Sequence, residues 1–278
     1  ILELLDLLIE YKATETIVST FLPALLKSQK AKDGWHYLFG NFKLGGTVSG
    51  RLSSSNPNLQ NLPSMGSSPI KYKLAVAIKN CIEAPKGWLL VGLDFDSLED
   101  KISALTTKDP NKIKVYTDGF DGHCLRAYAY FKDEMPDIDK DSVESINSIA
   151  KKYKPLRQKS KNPTFALTYQ GTFATLIKQC GFTPELAKSI EHEYHVLYKV
   201  SDDWIQDKLQ KATQTGYVTL AFGLRLRTHV LKQVVLNTSK TPQVASAEGR
   251  TAGNALGQSW GLLNNRAASE FMGKVRQS

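Results

Sequence analysis

The feature that most constrains this chain is helical spacing, which runs with few breaks from Ser97 to about Gln214. Apolar residues that recur every three or four positions put a stripe on each helix, and each stripe must be covered by another element. Within this region the spacing predicts helices over "SLEDKISALTT", Asp141–Lys152, residues 157–171, Pro184–Val200 and Asp202–Thr215. Residues 1–28 predict one or two helices, the second opened by Pro23, and Gln243–Val275 predicts one long helix. Strands are confined to short stretches. The aromatic and Gly-rich residues 34–52 read as short strands or a hairpin, 87–96 as an apolar strand running into carboxylates, and 216–228 as a strand pair around Gly223. Ser, Asn and Pro make Ser53–Ser68 a loop. The expected class is α+β, predominantly helical overall, without internal repeat or low-complexity tract.

At 278 residues, 41% of them hydrophobic, the chain can bury one large or two modest cores. A formal charge of +9 favours a polyanionic partner. Cys81, Cys124 and Cys180 are odd in number, far apart and without a C-x-x-C pair, which supports neither a disulfide framework nor a zinc knuckle and fits a reducing, cytoplasmic setting. No apolar run approaches the ~20 residues of a membrane span, and "ILELLDLLIEYK" carries acids in place of a signal peptide's basic start. The chain begins in mid-helix at Ile1 and is still helical in pattern at Ser278, so it reads as an internal fragment.

Three stretches carry chemistry. In "RQKSKNPTFALTYQG" (157–171), Arg157, Lys161, Phe165 and Tyr169 fall at steps of four, on one helix face about 18 Å long. Two cations followed by two aromatics suit neither a core nor a solvated face; they suit a ligand that is anionic at one end and flat at the other. In "SGRLSSSNPNLQNLP" (49–63), Arg51, Asn58, Gln60 and Asn61 crowd donors into a Pro-bounded loop. Such donors suit the DNA minor groove, where every correct pair offers acceptors at equivalent places. Asp94 ends the apolar stretch and Asp96 would share its strand face, an arrangement open to a hard cation or to a plain Asp-rich turn. Other polar clusters read as ordinary surface: His192 and His195 lack a third ligand, "SDDW" (201–204) resembles a helix N-cap, and the lysines between Lys108 and Lys114 either touch phosphates or face water.

Together these stretches resemble the family A DNA polymerases. "SGRLSSSNPNLQNLP" is similar to the family's T-G-R-L-S-S-x-x-P-N-L-Q-N-I-P, "DFDSLEDKI" to motif A (D-Y-S-Q-I-E-L-R), "RQKSKNPTFALTYQG" to motif B (R-x-x-x-K-x-x-x-F/Y-G-x-x-Y-G), and "RTAGNALGQ" (250–258) to the R-x-x-x-N-x-x-x-Q of a palm helix. The resemblance implies a right-hand polymerase fold with helix-rich fingers on an antiparallel palm sheet. The expected divisions are thumb-side helices at 1–30, palm including motif A at 31–108, fingers at 109–240 and a palm helix at 241–278. It implies template-primer DNA and deoxynucleoside triphosphates as partners and two Mg²⁺ ions as cofactors, with Asp94 and the Phe95 carbonyl as metal ligands. Glu99 would block a ribose 2′-OH. Arg157, Lys161 and His123 would grip the triphosphate, Phe165 would pack on the deoxyribose, and Tyr169 would sit beside the templating base. Arg51, Asn58, Gln60, Asn61, Arg250, Asn254 and Gln258 would face the template–primer minor groove.

The chain departs from the pattern in five places. The His-Asp dipeptide that carries the family's second metal aspartate does not occur, so the fragment is expected to be catalytically incomplete. Pro163 interrupts motif B and predicts a kink between Lys161 and Phe165. Ala166 and Gln170 stand where glycines are usual, and Asp96 replaces a small polar residue, which reads as a phage-type, replicative variation. The alternatives are a single-subunit RNA polymerase and a non-catalytic template–primer binding module; Glu99, the 49–63 loop and Phe165 favour DNA synthesis.

Overall fold

The computed structural model describes residues 2–63, 69–235 and 242–277. Packing divides the chain into two units, residues 1–94 and 95–278.

In the first unit, helix α1 (Leu2–Thr16) continues through a π-helical turn, Ile17–Phe21, into α2 (Leu22–Leu26), whose first turn holds Pro23 as expected. The helix is unbroken there, and the π-helical turn, closed by Leu22 N–H on Ile17 O, stands directly before the proline that lacks a donor. Two antiparallel ribbons follow, β1 (Gln29–Lys30) with β2 (His36–Tyr37) and β3 (Asn41–Lys43) with β4 (Ser53–Ser55), Phe42 standing opposite Ser54. Helix α3 (Pro69–Lys79) buries Ala75 and Ile78. The loop predicted over Ser53–Ser68 is corrected at its start, because Ser53–Ser55 pairs with Asn41–Lys43 as β4; beyond it the loop has one 3₁₀ turn, Leu59–Asn61, and residues 64–68 lie outside the described residues.

The apolar strand predicted over 87–96 does not form. Residues 89–95 have no regular structure, and Leu89 and Leu93 are 86% and 75% exposed. A strand is held by the N–H and C=O groups of a neighbour, and no described strand lies beside this one. Apolar content alone does not supply that partner.

The second unit is built from helices whose starts are written locally. Helix α4 (Leu98–Thr107) is followed by α5 (Pro110–Thr117), where Asp109 caps Asn111 N and Pro110 takes the first position. Helices α6 (Gly122–Phe131) and α7 (Val143–Lys152) are capped by Asp121 and Ser142. Then come α8 (Lys154–Lys159), α9 (Lys161–Thr168), α10 (Phe173–Cys180), α11 (Pro184–Leu197), capped by Thr183, and α12 (Lys199–Thr215), which stops at Gly216 in the left-handed region. Strands β5 (Tyr217–Thr219) and β6 (Arg225–Arg227) make the predicted pair about Gly223. Helices α13 (His229–Val235), α14 (Pro242–Gln258) and α15 (Leu262–Gln277) complete the unit. One core gathers Tyr130, Phe131, Ile146, Ile149, Leu176, Ile190 and Tyr198 from α6–α11; a smaller one joins Ala212, Val218, Ala252 and Leu256. The α+β, predominantly helical class holds, with strands in three two-stranded antiparallel pairs among the described residues.

Three helix expectations are corrected. The single helix over 157–171 is two, broken at Ser160 and not between Lys161 and Phe165. Pro163 sits in the first turn of α9, where it forfeits no helical bond; its ring is excluded from the space of the carbonyl four residues back, Lys159, so the interruption moves upstream of the proline. The long helix over 243–275 is interrupted by a 3₁₀ turn, Ser259–Gly261, where buried Ser259 Oγ accepts from Ala221 N at 3.1 Å and donates to Leu256 O at 3.3 Å. "SDDW" lies inside α12, which already begins at Lys199, so it is not an N-cap.

Candidate functional site

The cationic half of the stripe converges on the start of α6. His123, in its first turn, is half-buried, and its Nδ1 is buried with no hydrogen-bond partner. Burial, reinforced by Arg126, Arg157 and Lys161, holds the imidazole pKa below its ordinary value. Arg157 Nη2 donates to Asp121 Oδ2 at 2.7 Å, and Asp121 Oδ1 caps the helix by accepting from His123 N and Cys124 N. Burial pulls the Asp121 carboxyl up, but the guanidinium and the two N–H groups outweigh it and hold the pKa low. Arg157 Nε is buried without a partner. A neutral imidazole, the cations of Arg157 and Lys161 and an orphaned N–H donor at a helix N-terminus make a receptor for an anion. The Asp121 partnership was missed from the sequence, although Asp two residues before His is a legible cap.

The aromatic half opens onto a groove of about 750 Å³ between α9–α10 and α14. Thr164 and Leu167 turn inward, while Phe165 and Tyr169 are 57% and 40% exposed and line the groove with Arg250 and Asn254. Tyr169 ties three motifs together: its hydroxyl donates to Glu99 Oε2 at 3.0 Å, and its carbonyl accepts from Asn254 Nδ2 at 3.0 Å. Arg250 Nη1 donates to Ser246 Oγ at 2.8 Å on the exposed face of α14. Gln258, the last residue of α14, does not line the groove. Gln170 adopts φ of 62°, and its side chain packs on Gly253 of α14. Gln170, marked from the motif only as a replacement for glycine, and Gln179, which was not marked, add amides to the lining.

In the first unit, Ser54 Oγ accepts from Leu59 N at 3.0 Å and donates to Pro57 O at 3.2 Å, which rigidifies the 49–63 loop. Arg51, Gln60 and Asn61 are exposed on it; Asn58 is half-buried, its Oδ1 accepting from Gln60 N at 3.1 Å. Asp94 is exposed. With no strand at 94–96, the argument that Asp94 and Asp96 share a face lapses. Asp96 instead accepts from Lys101 Nζ and Ser97 Oγ, both at 3.0 Å, which hold its pKa low. Among the described residues no three His, Cys, Asp or Glu side chains stand together as a metal site. Asp94 and the Phe95 carbonyl are oxygen donors of the right kind for Mg²⁺ but too few to hold it alone. His195 pairs with Asp202 at 2.5 Å and remains a surface residue. No described helix is long and apolar enough to cross a membrane.

These arrangements can be set beside known proteins. The chain is 27% identical over 252 residues to DNA polymerase I of Bacillus subtilis, covering 91% of this chain and 26% of that protein. It is 27% identical over 225 residues to the thermostable DNA polymerase I of Thermus aquaticus, covering 80% of this chain and 24% of that one. It thus spans about a quarter of the length of these curated relatives. Among solved structures, the POL domain of Pol1 from M. smegmatis, in complex with DNA primer-template and dNTP, superposes with a TM-score of 0.68 at 25% identity, covering 90% of this chain and 39% of that one. The family profile described as DNA polymerase family A matches residues 2–261, and the chain belongs to that family.

Proposed function

We propose that this chain is part of a DNA-directed DNA polymerase, the part that receives a deoxynucleoside triphosphate beside a template–primer. The observation that carries the reading is that α9 bears both Lys161, whose charge is felt at His123 beside Arg157, and Phe165, which lines the aromatic groove with Tyr169. A nucleotide has that polarity, phosphates at one end and a flat base at the other. Arg157 and Lys161 would neutralise the triphosphate, Arg157 exchanging part of its bond to Asp121 for phosphate oxygens, with the neutral His123 ring beside them. Phe165 would pack on the sugar, Tyr169 would stand at the templating base, and Glu99, held by the Tyr169 hydroxyl, would face the position of a ribose 2′-OH. Arg250, Asn254 and Gln258, with Arg51, Asn58, Gln60 and Asn61, would hold the DNA minor groove.

Phosphoryl transfer needs positioning and charge neutralisation more than covalent chemistry, which is what these residues offer. Two Mg²⁺ ions, bound in part by Asp94 and the Phe95 carbonyl, would supply the Lewis-acid chemistry at the primer 3′-OH and the leaving pyrophosphate. The second aspartate would come from sequence outside residues 1–278, so the fragment alone would be inactive. The departures in motif B favour a phage replicative enzyme acting in the host cytoplasm. Primer extension by the longer polymerase with Mg²⁺ tests the reading: extension with deoxynucleotides that Asp94→Ala abolishes is expected. Equal use of ribonucleotides by the wild type would favour an RNA polymerase, and no extension at all a binding module.

A further inference from the structure

Asp100 follows Glu99 directly in the first turn of α4, and it is the acceptor of a polar cluster that the proposed chemistry leaves unused. Arg126 Nη2 donates to Asp100 Oδ2 at 3.1 Å, Tyr116 OH donates to the same oxygen at 2.7 Å, and Arg126 Nε donates to Tyr198 OH at 2.8 Å. The Arg126 side chain is 10% exposed and that of Asp100 32%, while Tyr198 is buried at the end of α11. One turn further along α4, Ser103 Oγ accepts from Lys112 Nζ at 2.6 Å. Asp100 and Ser103, three apart, therefore lie on one face of α4 and are gripped from α5 and α6. The grip matters because α4 starts without a side-chain cap: Ser97 is left-handed, at φ of 51°, and makes no capping bond. The local contacts at this end, from Ser97 Oγ and Lys101 Nζ to Asp96, lie on the exposed surface, and Glu99 sits in the first turn, about 100° round the helix from Asp100.

We infer that Arg126 is a positioning residue for sugar discrimination: through Asp100 it orients the first turn of α4 and so aims Glu99 at the Tyr169 hydroxyl and at the place of the ribose 2′-OH. The inference rests on the role proposed above for Glu99. A planar guanidinium held at Nε by Tyr198 and giving Nη2 to Asp100 fixes direction as well as distance, which a lysine at the same position cannot do.

The test is the ratio of kcat/KM for deoxy- over ribonucleoside triphosphates in primer extension by the longer polymerase. Any effect of Arg126 on the triphosphate site through His123 is common to both sugars and cancels in this ratio. Arg126→Ala is expected to lower the ratio about tenfold, the factor set by one charge-assisted hydrogen bond's worth of alignment. Arg126→Lys is expected to recover part of it. In a Glu99→Ala background, which itself loses discrimination, Arg126→Ala is expected to have no further effect. An unchanged ratio in folded Arg126→Ala, or an equal additional drop in the Glu99→Ala background, overturns the inference. If Arg126→Ala does not fold, Tyr116→Phe, which removes only the second donor to Asp100, decides in the same way: a smaller drop supports the inference and an unchanged ratio overturns it. Discrimination that survives Glu99→Ala refutes the role given to Glu99 itself, an outcome distinct from failure at Arg126 alone.

Discussion

Replacing Asp109 with alanine should loosen the frame that carries the candidate site. Asp109 is 1% exposed and accepts three hydrogen bonds, from Asn111 N at 3.0 Å, Ser201 N at 3.0 Å and Ser201 Oγ at 2.9 Å. The first caps α5. The second satisfies one of the four N–H groups at the start of α12 that have no partner inside the helix. Ser201 Oγ also meets Thr107 Oγ1 at 3.1 Å, so the cluster clasps the end of α4 to α5 and α12. Loss of the cap costs about 1 kcal/mol. The orphaned, buried Ser201 N–H costs a further ~2 kcal/mol, while Ser201 Oγ keeps Thr107. Buried Lys112, whose pKa burial already lowers, loses one of the carboxylates that compensate it, which adds to the cost. A destabilisation of about 3 kcal/mol, or roughly 6–12 °C in Tm for a unit of this size, is expected. Urea unfolding followed by the fluorescence of Trp204, one turn along α12, would measure it. Asp109→Asn, which keeps one acceptor oxygen but sets an amide against Ser201 N, should lose about half as much. A loss below about 1 kcal/mol at unchanged m would refute the claim that this clasp holds the three helices together.

Other expectations follow from single contacts. Arg157→Met should destabilise by about 1 kcal/mol, the partly exposed pair with Asp121 being screened and the carboxylate keeping its two N–H donors. The same variant should shrink the acid sensitivity that Asp121 confers. A lowered carboxyl pKa gives stability that is complete above the ordinary value of about 3.9 and lost as pH falls through the folded value. Calorimetry from pH ~2 to ~6 reads both effects. His195 has a raised pKa, chiefly from its bond to Asp202, so its contribution is complete below about pH 6.5 and lost as pH rises through the folded value; His195→Gln should remove that slope from a plot of Tm against pH. Gly171→Ala should cost about 1–3 kcal/mol, because its Cβ would stand 2.6 Å from the Ala166 carbonyl oxygen, a backbone atom that cannot turn aside. Differential scanning fluorimetry would detect the shift, and an unchanged Tm would mean that the turn after α9 yields freely.

Helix starts were legible where the signal is local. Asp109–Pro110, Asp121, Thr183–Pro184 and the strand pair about Gly223 each satisfy their own backbone within a few residues. Two of the failures were cases in which the partner is distant in sequence, and a third was a local clash whose position periodicity does not fix. Residues 87–93 have strand-like composition, but a strand exists only beside another. The breaks at Ser160 and Ser259–Gly261 depend on a carbonyl that must clear a proline ring and on a buried hydroxyl engaged by Ala221, neither visible in periodicity. Of the site, motif spacing marked Arg157, Lys161, Phe165, Tyr169, Arg250 and Asn254. The groove lining also includes Gln170, which the motif marked only as a departure from glycine, and Gln179, which no spacing distinguishes from a surface amide.

By itself the sequence determined the helix-rich class and the chemical types on each motif, because these follow from period and from the order of charged and aromatic side chains. Tertiary structure alone decided which charges meet. Glu99 finds Tyr169 from 70 positions away, Asn254 reaches the Tyr169 carbonyl across 85, and Arg126 meets Asp100 across 26. Such pairs depend on the packing of the cores of α6–α11 and α12–α14, which brings groups distant in sequence within hydrogen-bonding reach. Periodicity within a single helix carries no record of that packing.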